Sequence, residues 1–257
     1  DIGKGIETAI GNQKYSLVFA DTHGDAKKEL EVVKKLISRK IDGIVLASVS
    51  EKEDVLKECR KKNVPVVQVD RQIDDEDTNA VLWEDFRLAY TLAEHVIDKG
   101  HTNVAIENTR LGCSTGQNRL QGYLEAFRNQ GIRIDEENIS ASNFEMQDAY
   151  EHVKSLLGKP KCPTCIICSN NIMVKGSLKA IQEKGFSIPE DISICCFGNI
   201  ETNEYNLTDI TNIQQDTRLM GRKAGELLLS QINEENYCSV KIKLSGKLIE
   251  RSSVRQI

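Results

Sequence analysis

A small set of residues in this chain has the types and settings that recognition of a polar small molecule needs. Asp85 follows an extended apolar stretch at residues 81–83. A carboxylate there offers two oxygens and about four lone-pair sites to neighbouring hydroxyls, which suits a polyol. Its rival role is helix capping, since Asp before a helix commonly accepts from the first free amides, and one side chain can do both. Arg119 lies in an amphipathic helical pattern, where an exposed ion pair is the plain reading. A guanidinium also grips ligand oxygens two at a time. Thr115 stands one turn earlier on the same face and either adds a hydroxyl or caps that helix. Asn170 follows the strand-like run Cys165–Cys168, with an amide that donates and accepts at once; capping competes again. Trp83, the single tryptophan, either stacks on the apolar face of a pyranose or a base, or packs in a core or dimer interface.

Bond-making chemistry is poorly provided for. The spacing Cys162-Pro-Thr-Cys165-Ile-Ile-Cys168 suggests a metal site, but thiolate sites need ligands converging on one point. An odd separation along a strand sends Cys165 and Cys168 to opposite faces. His23, His95, His101 and His152 are scattered, with no pair at ligand spacing. No Gly-x-Ser-x-Gly, Walker-type loop or Cys/His dyad appears. Glu84 beside Asp85 fits capping and binding better than acid–base work. The residues describe a binding module without metal or cofactor, not an enzyme.

The elements that must position these residues alternate. Ile2, Ile6, Ala9 and Ile10 make a helical stripe, and residues 15–20 read as a buried strand. Leu30, Val33, Leu36 and Ile37 form the next helical face, followed by strand 43–47, a short helix over 52–62, strand 64–69 and an extended piece at 79–83. A helix over 86–99 ends at Gly100, and 103–106 is a further strand. The second half repeats the pattern: helices over 117–129, 147–157, 171–184 and 216–231, strands at 165–168 and 192–196, and a strand pair or ribbon over 239–249. Strands alternating with helices of this length imply parallel sheets wrapped on both faces, which bind ligands at the carboxyl ends of strands. A parallel lobe normally begins with a strand that lies centrally, and its omission would expose two unpaired sheet edges. The expectation is therefore that residues precede Asp1 and supply it.

Composition is that of an ordinary globular chain of 257 residues, 39% hydrophobic and 28% charged. The apolar runs are too short to cross a bilayer, and no export leader opens the chain. A formal charge of −5 argues against this segment itself gripping nucleic acid. The basic clusters at Lys34, Lys35, Arg39 and Lys40, and at Lys57, Arg60, Lys61 and Lys62, end amphipathic helices, where cations complement the macrodipole. Several of the 8 cysteines sit in apolar runs, Cys168, Cys195 and Cys196 among them, as small hydrophobes in a reducing compartment, hence the cytoplasm.

Taken together, several segments resemble the core domain of the lactose/galactose (LacI/GalR) repressor family. They are Ile41-Asp42-Gly43-Ile44-Val45-Leu46; Val64-Pro65-Val66-Val67 with Asp70-Arg71; Asp85, Ala89, His95 and Gly100-His101; and Arg119-Leu120-x-Gly122-Tyr123. Ser169-Asn170-Asn171, Ile188-Pro189-Glu190-Asp191-Ile192-Ser193 before Phe197, Ile210-Thr211-x-Ile213-x-Gln215-Asp216, Gly221-x-x-Ala224 and Leu248-Ile249-x-Arg251-Ser252-Ser253 follow in order. The resemblance implies an α/β fold of two doubly wound parallel-sheet lobes, of the type I periplasmic-binding-protein kind, joined by three crossovers. The boundaries expected are 1–106 with about 214–238, and 107–213 with about 239–257. It also implies a homodimer, a small-molecule effector in the inter-lobe cleft, and operator DNA bound through a helix-turn-helix head that this sequence does not contain.

Asp85 and Arg119 match effector-contacting positions of the family, and Gln215 matches a position at the crossover that bonds ligand or hinge. One departure bears on the ligand. The family commonly carries Asp after the aromatic residue that Phe197 represents, and that Asp takes two sugar hydroxyls. Here stands Gly198, followed by Asn199. Either Asn199 or Glu201 substitutes, or the effector is not an ordinary sugar. Asn171 likewise replaces a usual Asp. An exported solute-binding protein of a transporter shares the architecture and is the alternative reading, with cysteine usage and the Arg251-Ser252-Ser253 ending against it.

Overall fold

In the computed structural model, residues 1–11, 15–75, 77–142, 145–200, 210–233 and 238–257 are described. They divide into two compact units, Asp1–Trp83 with Asp216–Leu244, and Glu84–Gln215 with Ser245–Ile257. The chain thus passes between units three times.

The first unit is built on a parallel sheet ordered β1-β2-β3-β9, from β1 (Ile44–Leu46), β2 (Val66–Val69), β3 (Asn79–Trp83) and β9 (Lys241–Leu244). Around it lie α1 (Ile2–Ile10), α2 (Ala26–Ser38), α3 (Asp54–Lys61) and α8 (Thr217–Asn233). Asp25 caps α2 by accepting from the amides of Lys27 and Lys28, which holds its carboxyl below the usual range. Val33, Ile44, Leu46, Val55, Leu56, Cys59 and Val66 form a continuous apolar cluster. Glu29 of α2 is buried and accepts from Ser48 Oγ at 2.7 Å and the Val49 amide at 2.8 Å, fixing the loop that leaves β1. A carboxylate this deep is tolerated because its oxygens are hydrogen-bonded.

The second unit has six strands ordered β10-β8-β7-β6-β4-β5, all parallel except β10. They are β4 (Val104–Thr109), β5 (Ile139–Ser142), β6 (Cys165–Cys168), β7 (Ser193–Phe197), β8 (Thr211–Gln214) and β10 (Lys247–Ile249). Alternation assigns the faces. Ala105, Ile166, Cys168, Ile194 and Cys196 pack with α6 (Met146–Leu156) and α7 (Asn171–Glu183). The alternate residues turn toward the layer of α4 (Asp85–Asp98) and α5 (Ser114–Asn129). Both strand and helix pattern and the apolar runs thus find the doubly wound arrangement they implied.

Three expectations are corrected. The boundary of the first unit falls after Trp83 and not near 106, because α4 packs on α5, and β4 pairs with β5 and β6. Periodicity shows that 103–106 is a strand but not which sheet it joins. Residues 239–249 do not form a ribbon: β9 pairs parallel with β3, and β10 antiparallel with β8, the chain passing between units at Ser245. Residues 15–20 form no strand, with Val18 70% and Phe19 73% exposed, and no described strand pairs with them. The short β5 was not foreseen, since Ile-Ser-Ala-Ser carries little apolar alternation.

Three helix pairs pack with a glycine at the crossing. A Cβ on Gly221 of α8 would stand 1.9 Å from the Ile2 carbonyl oxygen, one on Gly122 of α5 2.3 Å from that of Phe86, and one on Gly176 of α7 2.2 Å from that of Met146. Backbone cannot yield as a flexible side-chain tip does. Gly221→Ala and Gly122→Ala are each expected to lower stability by about 1–3 kcal/mol in urea denaturation, whereas Gly131→Ala, where space is open, loses only through its positive φ.

Candidate functional site

Asp85 and Arg119 meet within the second unit. Asp85 is the first residue of α4, only 4% exposed, and does not cap: Glu84 holds the cap position and makes no side-chain cap bond. The Asp85 carboxylate instead accepts from Arg119 Nε at 2.7 Å. Arg119, 7% exposed in the middle of α5, also donates from Nη1 to the Ser169 carbonyl at 2.8 Å and lies over the Phe197 ring, 4.0 Å from its centroid. The exposed ion pair weighed for Arg119 is therefore replaced by a buried one. Four elements converge here: α4, α5 and the carboxyl ends of β6 and β7. Burial makes the pairing obligatory, since either charge alone would lack compensation.

The strand ends around this pair carry polar groups. Asn170 caps α7, its Oδ1 accepting from the Met173 amide at 2.9 Å. Capping thus occupies the side-chain oxygen. Thr115 is buried in the first turn of α5, with its hydroxyl 3.4 Å from Cys113 Sγ. Asn108, buried at the end of β4, was missed by sequence reasoning. Its Nδ2 donates to the carbonyls of Thr109 and Gly116, and its Oδ1 accepts from Ser169 Oγ at 2.9 Å. The available signal was the polar ending Asn108-Thr109 on an otherwise apolar strand.

Beyond β7, Asn199 is committed to the backbone of Gln215, donating to its carbonyl at 2.7 Å and accepting from its amide at 2.8 Å. This pair of bonds works like one rung of a sheet and joins the loop after β7 to the end of β8. Both polar ends of the Asn199 side chain are thus used, and Glu201 lies outside the described residues. Gly198 adopts φ +112°, a region L side chains rarely occupy, and a Cβ there would meet only Gln215 Oε1, at 3.5 Å. Gln215 is buried, with Nε2 lacking a partner among the described residues. Space and an unused polar group therefore stand where the family places a carboxylate.

Trp83 closes β3 in the first unit, buried opposite Leu244 of β9. It belongs to a different unit from the other six candidates. The cysteines behave as buried apolar groups: Cys168 packs with Cys196 on the α6–α7 side, whereas Cys165 faces the other side with Cys195, and burial pushes the thiols of Cys168, Cys195 and Cys196 up. Among the described residues no three His, Cys, Asp or Glu side chains are grouped as a metal site.

One polar pair was overlooked. Glu107 of β4, buried, lies 2.6 Å from His152 Nδ1 on α6, and His152 Nε2 is 3.0 Å from the Glu137 carbonyl. Burial raises the Glu107 carboxyl above its usual range despite His152. Burial opposes the His152 imidazolium, yet Glu107 outweighs it and the histidine is held above its usual range. Both shifts mean that the folded chain keeps protons the unfolded chain releases. Stability from His152 is full below its unfolded value near pH 6.5 and drains as pH rises through the raised folded value; Glu107 acts in the same sense from a lower starting pH.

Two outcomes follow for this unit. Between pH 6 and pH 8.5 the melting temperature of the parent chain should fall about 2–4 °C further than that of Glu107→Gln; parallel curves would remove the pair from the pH response. Asp85→Ala is expected to cost about 3–5 kcal/mol by stranding Arg119, and a double-mutant cycle with Arg119→Met should recover much of it.

Comparison with known proteins agrees with this architecture. Residues 1–251 match the family model described as periplasmic binding proteins and sugar binding domain of LacI family. The HTH-type transcriptional repressor PurR of Glaesserella parasuis is 30% identical over 258 residues, covering 98% of this chain and 76% of that protein. The transcription regulator CcpA of Lactococcus lactis has a similar structure, with a TM-score of 0.89, 25% identity, and coverage of 99% of this chain and 93% of that one. A LacI family transcriptional regulator from Enterococcus faecium, with bound ribose, shares the fold at a TM-score of 0.86 and 24% identity, over 100% of this chain and 93% of its own. With its alternating elements, two largely parallel sheets and one family model matching residues 1–251, the chain belongs to the family of periplasmic binding proteins and LacI-type sugar-binding domains.

Proposed function

We propose that this chain is the effector-binding and dimerisation core of a LacI-type transcription regulator, and that it takes a small polar molecule, a sugar or sugar derivative, beside Asp85 and Arg119. The observation that carries the reading is that buried ion pair at the carboxyl ends of parallel strands, where α/β sheets bind ligands. Asp85 presents a carboxylate suited to hydroxyls, Arg119 holds it in place, and Thr115 and the Asn170 Nδ2 group add contacts. Gln215 contributes its amide group, whose Nε2 has no partner among the described residues, and Asn199 keeps Gln215 in position.

Regulation requires that the effector bind one arrangement of the protein better than another. A symmetric homodimer then alters how two heads meet a pseudo-palindromic operator. DNA contact belongs to a head outside this chain, which spans 76% of the PurR relative's length. Repressor relatives support the cytoplasm as its location and a role without catalysis, and they favour a regulator over a transporter's binding protein. No helix among the described residues is long and apolar enough to cross a membrane.

The test is a thermal-shift screen of sugars, phosphosugars, nucleosides and amino acids, run on the parent chain, Arg119→Ala, and the milder Thr115→Val. A ligand of this site should raise the parent's melting temperature by several degrees at about 100 times its Kd, and the variants' by much less. Equal stabilisation of all three proteins would place the ligand elsewhere.

A further inference from the structure

The contact between Glu107 and His152 serves none of the ligand roles above, yet its geometry gives it two states. Glu107 of β4 is fully buried, and its Oε1 lies 2.6 Å from His152 Nδ1 on α6. The other ring nitrogen, Nε2, stands 3.0 Å from the Glu137 carbonyl. A carbonyl only accepts, so Nε2 carries a hydrogen. Nδ1 then bonds Oε1 only when the pair holds one more proton, as imidazolium beside carboxylate or as imidazole beside carboxylic acid. Without that proton two lone pairs face each other at 2.6 Å, and the contact opens.

The groups around the pair are few. Ser140 of β5 faces the Glu107 carboxyl, and Cys168 of β6 senses the same charge with its thiol pushed well up by burial. Lys159 opposes the imidazolium from beyond α6, but it is itself paired with the Glu137 carboxylate at 2.9 Å. Asp148 stands one turn before His152 on α6. Burial works against the imidazolium, but the bond to Glu107 outweighs it and the proton is held.

Glu107 is also where this contact reaches the ligand-holding residues. Its carbonyl accepts from the Ser169 amide at 2.8 Å, and the next residue, Asn108, accepts from Ser169 Oγ at 2.9 Å. The Ser169 carbonyl in turn accepts from Arg119 Nη1 at 2.8 Å. One residue, Ser169, thus lies between the proton-dependent contact and the guanidinium, and all of them belong to the second unit.

We propose that Glu107 and His152 form a proton-operated positioning pair for Arg119. Closed, the pair fixes the end of β4 against α6 and with it Ser169; open, it releases Ser169 and the guanidinium that Ser169 orients. Energetic coupling needs an element with two discrete arrangements, and the contact is one. The proton is present below the raised folded value of His152 and is lost as pH climbs through it. Resting on the ligand reading above, this makes the grip on a polar ligand weaken as pH rises.

A nuclear magnetic resonance titration from about pH 5.5 to about pH 9.5 tests the pair without any ligand, so its failure and a failed ligand screen are separate results. In the parent chain the Arg119 Nε–H resonance should move with the same midpoint as the His152 ring, above about 6.5. Burial sets His95 and His101 lower and pushes Tyr123, Cys195 and Cys196 up and out of this range, so none of these supplies the transition. The Arg119 transition should be lost in Glu107→Gln and in His152→Gln. An Arg119 signal that stays flat while His152 titrates overturns the proposal, as does a His152 ring unchanged across the range. A transition that persists at the same midpoint in both variants overturns it too. Should neither variant fold, the parent decides alone: coincident midpoints support the proposal and separate ones overturn it.

Discussion

The second unit is organised around a charge that cannot be left alone. Arg119 is buried, and its guanidinium is held by the Asp85 carboxylate, the Ser169 carbonyl and the face of Phe197. These partners come from α4, the end of β6 and the end of β7, so one side chain ties three elements to α5. Leaving either charge unpaired at that depth costs more than most packing defects, which keeps the strand ends in register with the helices above them. The groups around Arg119 are thereby held in fixed orientations, which on the proposed reading leaves little further ordering for a polar ligand to impose.

Around that anchor, polar side chains do the work of backbone. Asn108 bridges β4, the first turn of α5 and Ser169, while Asn199 closes a two-bond rung with Gln215. An asparagine amide can do this because it donates and accepts with peptide-like geometry. Gly198 sits inside the resulting loop at a positive φ, so the position is set by backbone conformation as well as by side-chain chemistry. Restoring a carboxylate there would introduce strain along with charge. The departure from the family pattern is thus built into the loop.

The two sheets differ in how completely their edges are used. In the second unit every inner strand has neighbours on both sides, and His101 and Arg251 tie the chain's last segment to it through the Arg255 carbonyl, the Ile210 carbonyl and Asn212. In the first unit, β1 pairs only with β2 among the described strands, and its residues line an apolar cavity.

Much of this was legible in the sequence by itself. Alternating β-rich runs and helical stripes determined the fold class and most element positions, because burial on one stripe or both strand faces leaves a period behind. Motif order singled out Asp85 and Arg119, which the fold brings together as a buried ion pair, and odd spacing correctly separated Cys165 from Cys168. Tertiary structure alone decided which sheet the strand beginning near Val104 joins, that Asp85 binds Arg119 and does not cap, that Asn199 is consumed by Gln215, and that Glu107 pairs with His152. The physical reason is common to all four. Periodicity records whether a residue is buried, but partners distant in the chain are chosen by strand order and helix packing, which no local pattern encodes.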